Sequence, residues 1–200
     1  MKSLMQQALG DDWAKLPPAL QAHYRSGKTT DIGHMNIEYP RFMQWYLSVL
    51  HVFGALINRR GENLSTTVEK DFAGERQYWR RTIKYPDGRL VRFNSFWIAK
   101  GPNQLVEFVN PLLGLQMKVR VHDSQLHYQG VKFVVKLGPL LLPIPEWLAL
   151  GHTDIVEVAV NEKQFVMDFR LTHPLLGQIF RYSGKFEAAV SQTCESSQAP

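Results

Sequence analysis

From Glu62 to Glu187 the chain is written largely in a period of two. A strand presents successive side chains to opposite faces, whereas a helix repeats every 3.6 residues, so this stretch admits strands and little else. Leu64, Thr66, Val68 and Lys70 alternate with Ser65, Thr67 and Glu69. Leu115, Met117, Val119 and Val121 oppose Gln116, Lys118, Arg120 and His122, and Phe165, Met167, Phe169 and Leu171 oppose Val166, Asp168 and Arg170. Further strands are expected over 78–85, 90–99, 105–109, 126–137, 153–160 and 178–186. Ala73-Gly74, Pro86-Asp87-Gly88, Gly101-Pro102-Asn103, Asn110-Pro111, Asp123-Ser124 and Asn161-Glu162-Lys163 supply the turns between them. Short connections pair each strand with its neighbour, which implies an antiparallel meander of roughly eight to ten strands, closed or nearly closed on itself. The segment 138–150, Gly-Pro-Leu-Leu-Leu-Pro-Ile-Pro-Glu-Trp-Leu-Ala-Leu, interrupts the pattern. Its prolines lack an amide donor, so it reads as an apolar loop rather than a strand.

The first sixty residues follow other rules. Ser3 is placed to cap a short helix that Gly10 closes, Pro17-Pro18 punctuates, and 19–24 offers another turn or two before a strand over 28–39. Pro40 then opens a long helix running to about Ile57. Its polar positions, Gln44, Ser48, His51 and Asn58, form one narrow stripe among apolar residues. The expected placement is therefore burial on most of its circumference, packed on or into the sheet. The run falls short of the ~20 apolar residues that cross a bilayer. A membrane-surface helix is the weaker alternative, because a wide cationic face is missing. The fold class is thus α+β, mainly antiparallel β. One domain spans 1–189, helical to 60 and sheet over 62–187, with a polar, disordered tail over 190–200.

Composition narrows the function only a little. Five Trp, seven Tyr and eleven Phe suit a dense core or the lining of an apolar pocket. The formal charge of +5 is weak support for an anionic partner. Cys194 is the single cysteine, so no intrachain disulfide forms, and the N-terminus lacks the apolar core of a secretory signal. Both point to the cytoplasm.

No motif names a reaction. The seven histidines have no i,i+4 pair, and His122 and His127 read as turn residues, so neither metal nor cofactor is expected. Nucleophile elbows and phosphate-cradling glycine loops are missing, and the polar surroundings of Cys194 do not activate a thiol. Basic residues gather between Arg76 and Lys100, but without an aromatic recognition signature they read as a solvated sheet face, not a nucleic-acid site. On strand parity Arg80 and Lys84 share one face and Arg81 takes the other. Glu107 and Glu157 stand in apolar strands. They face solvent, or they point inward and need a partner such as Arg81 or Arg181.

Several short motifs resemble the bacterial domain-of-unknown-function family numbered 4166. They are Leu9-Gly10-x-x-Trp13-x-x-Leu16-Pro17-Pro18 with His23, Gly61-Glu62, Glu75 with Trp79-Arg80-Arg81, Phe93-x-Ser95 and Leu105-Val106-Glu107. Leu142-Pro143-Ile144-Pro145, Glu157, Pro174-Leu175-Leu176-Gly177 and Tyr182-x-Gly184 complete the series, which extends from about residue 3 to 187. The resemblance implies a domain found alone or joined behind a dehydrogenase-like domain, and it implies no established reaction. The joined domain is missing here, so any such partnership would be with a separate dehydrogenase-like protein. The long helix is more aromatic than the Leu- and Ala-rich run of the family.

Two readings of function follow. The leading one is a binding module for a hydrophobic or lipid-like small molecule in a barrel-like cavity. Its ligand contacts are Trp79, Arg81, Ser95, Glu107, Glu157 and Tyr182. The competitor is an acid–base enzyme of the isomerase, cyclase or dehydratase kind, with Glu107 or Glu157 as base and Arg81 holding an oxyanion or carboxylate. A non-catalytic partnership with a dehydrogenase-like protein rests on the resemblance alone.

Overall fold

The structure is a computed structural model of the chain and describes residues 2–188. The tail expected over 190–200 lies outside the described residues. Eleven antiparallel strands form one sheet: β1 (Thr29–Glu38), β2 (Gly61–Ala73), β3 (Arg76–Lys84), β4 (Leu90–Gly101), β5 (Gln104–Phe108), β6 (Leu113–His122), β7 (Gln125–Leu137), β8 (Leu140–Ile144), β9 (His152–Ala159), β10 (Gln164–His173) and β11 (Gly177–Ala188). Each strand pairs with its neighbour in sequence from β1 to β7, β11 returns to β1, and β9 joins β7 to β10, so all but β8 close into a ten-stranded barrel. The meander follows from the turns, and closure removes the unpaired edges an open sheet would leave.

Alternation sorts the side chains. In β1, Thr29, Asp31, Gly33, Met35 and Ile37 are buried, and in β3 Gln77, Trp79, Arg81 and Ile83 are buried. Gly33 is required where β1 meets β11, because a Cβ there would lie 2.2 Å from the Lys185 carbonyl oxygen. One end of the barrel is closed by helix α1 (Leu4–Leu9), a 3-10 turn (Gly10–Lys15) and helix α2 (Pro18–His23). Ser3 caps α1 reciprocally with Gln6, at 3.1 and 2.8 Å, and Pro18 starts α2 where its missing amide costs nothing. Leu4, Met5, Leu9, Leu16 and Leu20 are all buried beneath the strands.

The long buried helix is not there. A 3-10 turn (Arg41–Met43) leads into α3 (Gln44–Val52), nine residues that lie over the opposite end of the barrel. The chain then leaves the helix through Gly54 at φ 69°. A helix laid across a mouth buries only its inner side. Leu47 is fully enclosed, while Trp45 and Val52 are 70% and 81% exposed. The polar stripe ties the helix to its own return segment: Tyr39 donates to Gln44 at 2.9 Å, and Gln44 donates to the Asn58 carbonyl at 2.8 Å.

The Pro-Leu segment also departs from expectation, since 140–144 forms β8. Proline is tolerated because β8 pairs only with β7, leaving its outer side without a ladder. β7 pairs with β9 through Leu126–Gln129 and with β8 from Phe133 onward, so the wall forks at Gly130. A Cβ on Gly130 would collide with the Glu146 carboxylate of α4 (Glu146–Ala149), whose other oxygen meets His152 at 2.6 Å. Among the described residues no helix is long and apolar enough to cross a membrane.

Candidate ligand cavity and its polar floor

The inward residues do not fill the barrel. A cavity of about 250 Å³ remains, walled by residues such as Ile83, Phe93, Leu115, Phe169, Leu171 and Phe180. Tyr46 and Leu50 of α3, with Leu56, Ile57, Ala149 and Leu150, roof it. Among the described residues, the only charged side chains on its wall are Arg81 and Glu107. Below lies a smaller chamber of about 30 Å³ that shares Val68, Arg81, Glu107, Met167, Tyr182 and Phe186 with the first.

Register assembles the floor. Trp79 lies opposite Ser95, Arg81 opposite Phe93, and Trp97 opposite Glu107, which sets Arg81, Ser95 and Glu107 on three consecutive strands. Arg81 is 9% exposed; it donates from Nη1 to Ser95 Oγ at 2.9 Å and from Nη2 to Glu107 Oε1 at 3.2 Å. Its guanidinium lies 5.1 Å from the Trp79 ring centroid and 5.3 Å from that of Phe93. The charge is therefore paired and sandwiched, as buried arginines must be.

Two further polar groups sit lower. Glu157 is 2% exposed, and Tyr24 donates to its carboxylate from 2.7 and 2.8 Å of the two oxygens. Tyr128 in turn donates to the Tyr24 hydroxyl. Burial pushes the Glu157 carboxyl up to about 7, with the Tyr24 hydrogen bond working against the rise. Burial also holds both phenols well above their ordinary value. Beside them Lys70 Nζ reaches Asp31 Oδ2 at 2.5 Å and the His23 carbonyl at 2.5 Å, and His23 Nδ1 lies 2.6 Å from the same Asp31 oxygen. Burial would raise Asp31, but His23 and Lys70 outweigh it and hold the carboxyl below its usual range. Burial, then Lys70, pushes His23 down to about 4, so its imidazole is neutral at pH 7, with Nδ1 set between Asp31 Oδ2 at 2.6 Å and Lys70 Nζ at 2.9 Å.

Of the six residues singled out in the sequence, Arg81, Ser95 and Glu107 form one cluster, Trp79 lies against it, and Tyr182 lines both chambers. Ser95 holds Arg81 from behind, and Glu157 borders the lower chamber alone. Both glutamates point inward. Arg181 serves neither, because it lies outside with Asp168 at 2.8 Å and Glu38 at 3.7 Å. Arg80 and Lys84 are on the outer face, as parity requires. His122 and His127 lie 6.2 Å apart, ring to ring, at the β6–β7 turn, and no metal-holding group of three or more His, Cys, Asp or Glu occurs among the described residues. Sequence reasoning passed over Tyr24, Asp31, Lys70, Trp97 and Tyr128. For Lys70 a signal was present, since it shares strand parity with Leu64 and Val68.

The floor thus offers a paired guanidinium beside the apolar chamber, and beneath it a carboxyl poised near neutrality with a chain of two phenols. The indole nitrogens of Trp79 and Trp97, both bordering the lower chamber, are buried donors with no partner among the described residues. An acceptor entering that chamber would meet an unmet demand. No curated protein and no solved structure matches the chain. The family model for a domain of unknown function, DUF4166, matches residues 16–186, and the chain belongs to that family.

Proposed function

We propose that the barrel binds one hydrophobic small molecule, its apolar body in the upper chamber and a hydrogen-bonding head at Arg81. The carrying observation is the cavity itself: apolar on nearly all its wall, with a single charged pair at its floor. Pockets of this build are the usual small-molecule sites. At about 30 Å³ per water-sized group, 250 Å³ holds roughly eight such groups, the size of a medium acyl chain or a compact terpenoid. Arg81 is paired with Glu107 and Lys70 with Asp31, so the formal charges there cancel. That balance supports a neutral head such as a carbonyl or hydroxyl, since a free carboxylate would have to displace Glu107.

Native mass spectrometry of the purified protein should show a bound small molecule, and a neutral naphthylamine probe should bind and be displaced by medium-chain alcohols better than by the matching acids. Val68 borders both chambers, so Val68→Phe should fill the space and weaken probe binding about tenfold or more while the protein stays folded, small-to-large changes costing about 1–3 kcal/mol. Unchanged probe binding in the filled variant, with no ligand in the mass spectrum, would sink the reading.

One observation favours a second reading, an acid–base enzyme on the same scaffold. A carboxyl near 7 is suited to exchange protons at neutral pH, and Tyr24 and Tyr128 extend it into a relay. The molecule extracted from the protein should then exchange a carbon-bound proton in D2O when returned to it. Glu157→Gln should slow that exchange by about a hundredfold or more. Exchange that persists in the variant removes Glu157 from any such role.

A further inference from the structure

The two ends of the barrel differ in kind. Five connections crown the α3 end: 39–60, 85–89, 109–112, 138–151 and 174–176. Most of the large exposed apolar side chains of the described residues stand on these connections or at the strand ends that feed them, among them Phe42, Trp45, Phe53, Leu141, Trp147 and Leu175. Trp147 is 62% exposed and Leu175 87%. At the opposite end the turns carry Glu75, Asn103, Asp123 and Glu162. Contacts draw the crown together: Tyr46 donates to the Ala149 carbonyl at 3.3 Å, Asn110 to the Phe53 carbonyl at 2.5 Å, and the His173 imidazole meets the Trp147 carbonyl at 3.0 Å. The apolar tips therefore encircle the roof of the cavity.

The charge at this end points the same way. The five connections contain four arginines, Arg41, Arg59, Arg60 and Arg89, and two carboxylates. Both carboxylates are already engaged, Asp87 by Arg59 at 2.8 Å and Glu146 by His152 at 2.6 Å. Arg41, Arg60 and Arg89 are exposed, and at the strand ends behind them Lys84, Arg92 and Lys136 stand against Glu38 and Glu62. An apolar crown with exposed tryptophans, set in a cationic collar, is complementary to a negatively charged lipid surface.

We propose that this end of the barrel docks on an anionic lipid bilayer, with α3 and the tips at Leu141, Trp147 and Leu175 entering the boundary between headgroups and acyl chains. The surface of α3 that gives it no place in a buried core is the surface that meets lipid. Docking in this way sets the cavity roof against the acyl region, so a hydrophobic molecule enters or leaves without crossing water. The docking itself rests on the surface alone and does not require the cavity to be filled.

Flotation of the full chain with phosphatidylcholine vesicles, with and without phosphatidylglycerol, tests it. Binding is expected to the anionic vesicles, with a blue shift of tryptophan emission, and should weaken as salt is raised. The double variant W45E/W147E, and separately Leu175→Glu, should bind about tenfold or more weakly, since each sets a carboxylate in the apolar contact. These positions are exposed, so circular dichroism and melting should match the unmodified protein. Val68→Phe should bind vesicles normally, which separates failure of this inference from failure of the cavity reading. Absence of binding to anionic vesicles at low salt, or binding that W45E/W147E leaves intact, overturns the proposal. So does a dimer in light scattering that Trp45→Glu converts to monomer, for the crown would then be covered by a second copy of the chain.

Discussion

Asp31→Ala is expected to lower the stability of the folded state by about 3–5 kcal/mol, measured by urea unfolding at pH 7. Asp31 and Lys70 are both enclosed by the barrel, and neither side chain is exposed to solvent. Removing the carboxylate leaves Lys70 with only the His23 carbonyl and ring nitrogen as hydrogen-bond partners, and takes the carboxylate partner from the His23 ring. The loss measures a stranded charge and not the net contribution of the pair, and that difference can be tested. The double variant D31L/K70M removes both charges and should recover most of the loss, since well-packed apolar replacements of a buried ion pair are often neutral or better. If Asp31→Ala costs less than about 1 kcal/mol, the pair is screened as an exposed one would be and its burial does not govern stability.

The second large effect is in the pH dependence. Glu157 is raised to about 7 when folded, against 4.5 ordinarily. Between those values the folded protein keeps a proton that the unfolded chain has released, so this group makes stability fall as pH rises, by about 3 kcal/mol in all. His23 works in the opposite sense. Its folded value is about 4 against 6.5, so between pH 4 and 6.5 the unfolded chain holds a proton that the folded protein lacks, and stability rises with pH by a similar amount. The two slopes cancel over most of their shared window, and the native protein should be nearly flat from pH 4.5 to 6.5. Glu157→Gln removes one slope and exposes the other. Its stability should climb by about 3 kcal/mol between pH 4 and 6.5, and above pH 7 it should exceed that of the native protein. Urea unfolding at four pH values would decide it; parallel profiles for the two proteins would show that Glu157 does not titrate in this window.

How far these features could be read in advance varies with their range along the chain. Turn residues and alternation are local, so the ten barrel strands fall where the sequence pattern places them, within a few residues at each end. The parity of β3 separates Arg81 from Arg80 and Lys84 on the same grounds. The partner of a buried charge is not local. Arg181 and Arg81 were equal candidates for Glu107, and only the barrel register brings β3 beside β4 and β5 while placing Arg181 outside, against Asp168. Tyr24 meets Glu157 across a separation of 133 residues, which no periodicity records. The helix over the mouth misled for a different reason: apolar residues on every side indicate an apolar surrounding, but not whether protein supplies it.

The sequence by itself determined the antiparallel meander, the parity that sets Arg81 opposite Arg80 and Lys84, and a cap at Ser3, because backbone sterics and turn chemistry act over a few residues. Tertiary structure alone decided that the sheet closes through β7 and β9, that β8 takes a proline as an edge strand, and that α3 covers a mouth instead of filling a core. It also decided that the barrel is hollow. Whether inward side chains fill a barrel depends on its circumference and on which strands face each other across it, and neither is written in any one strand.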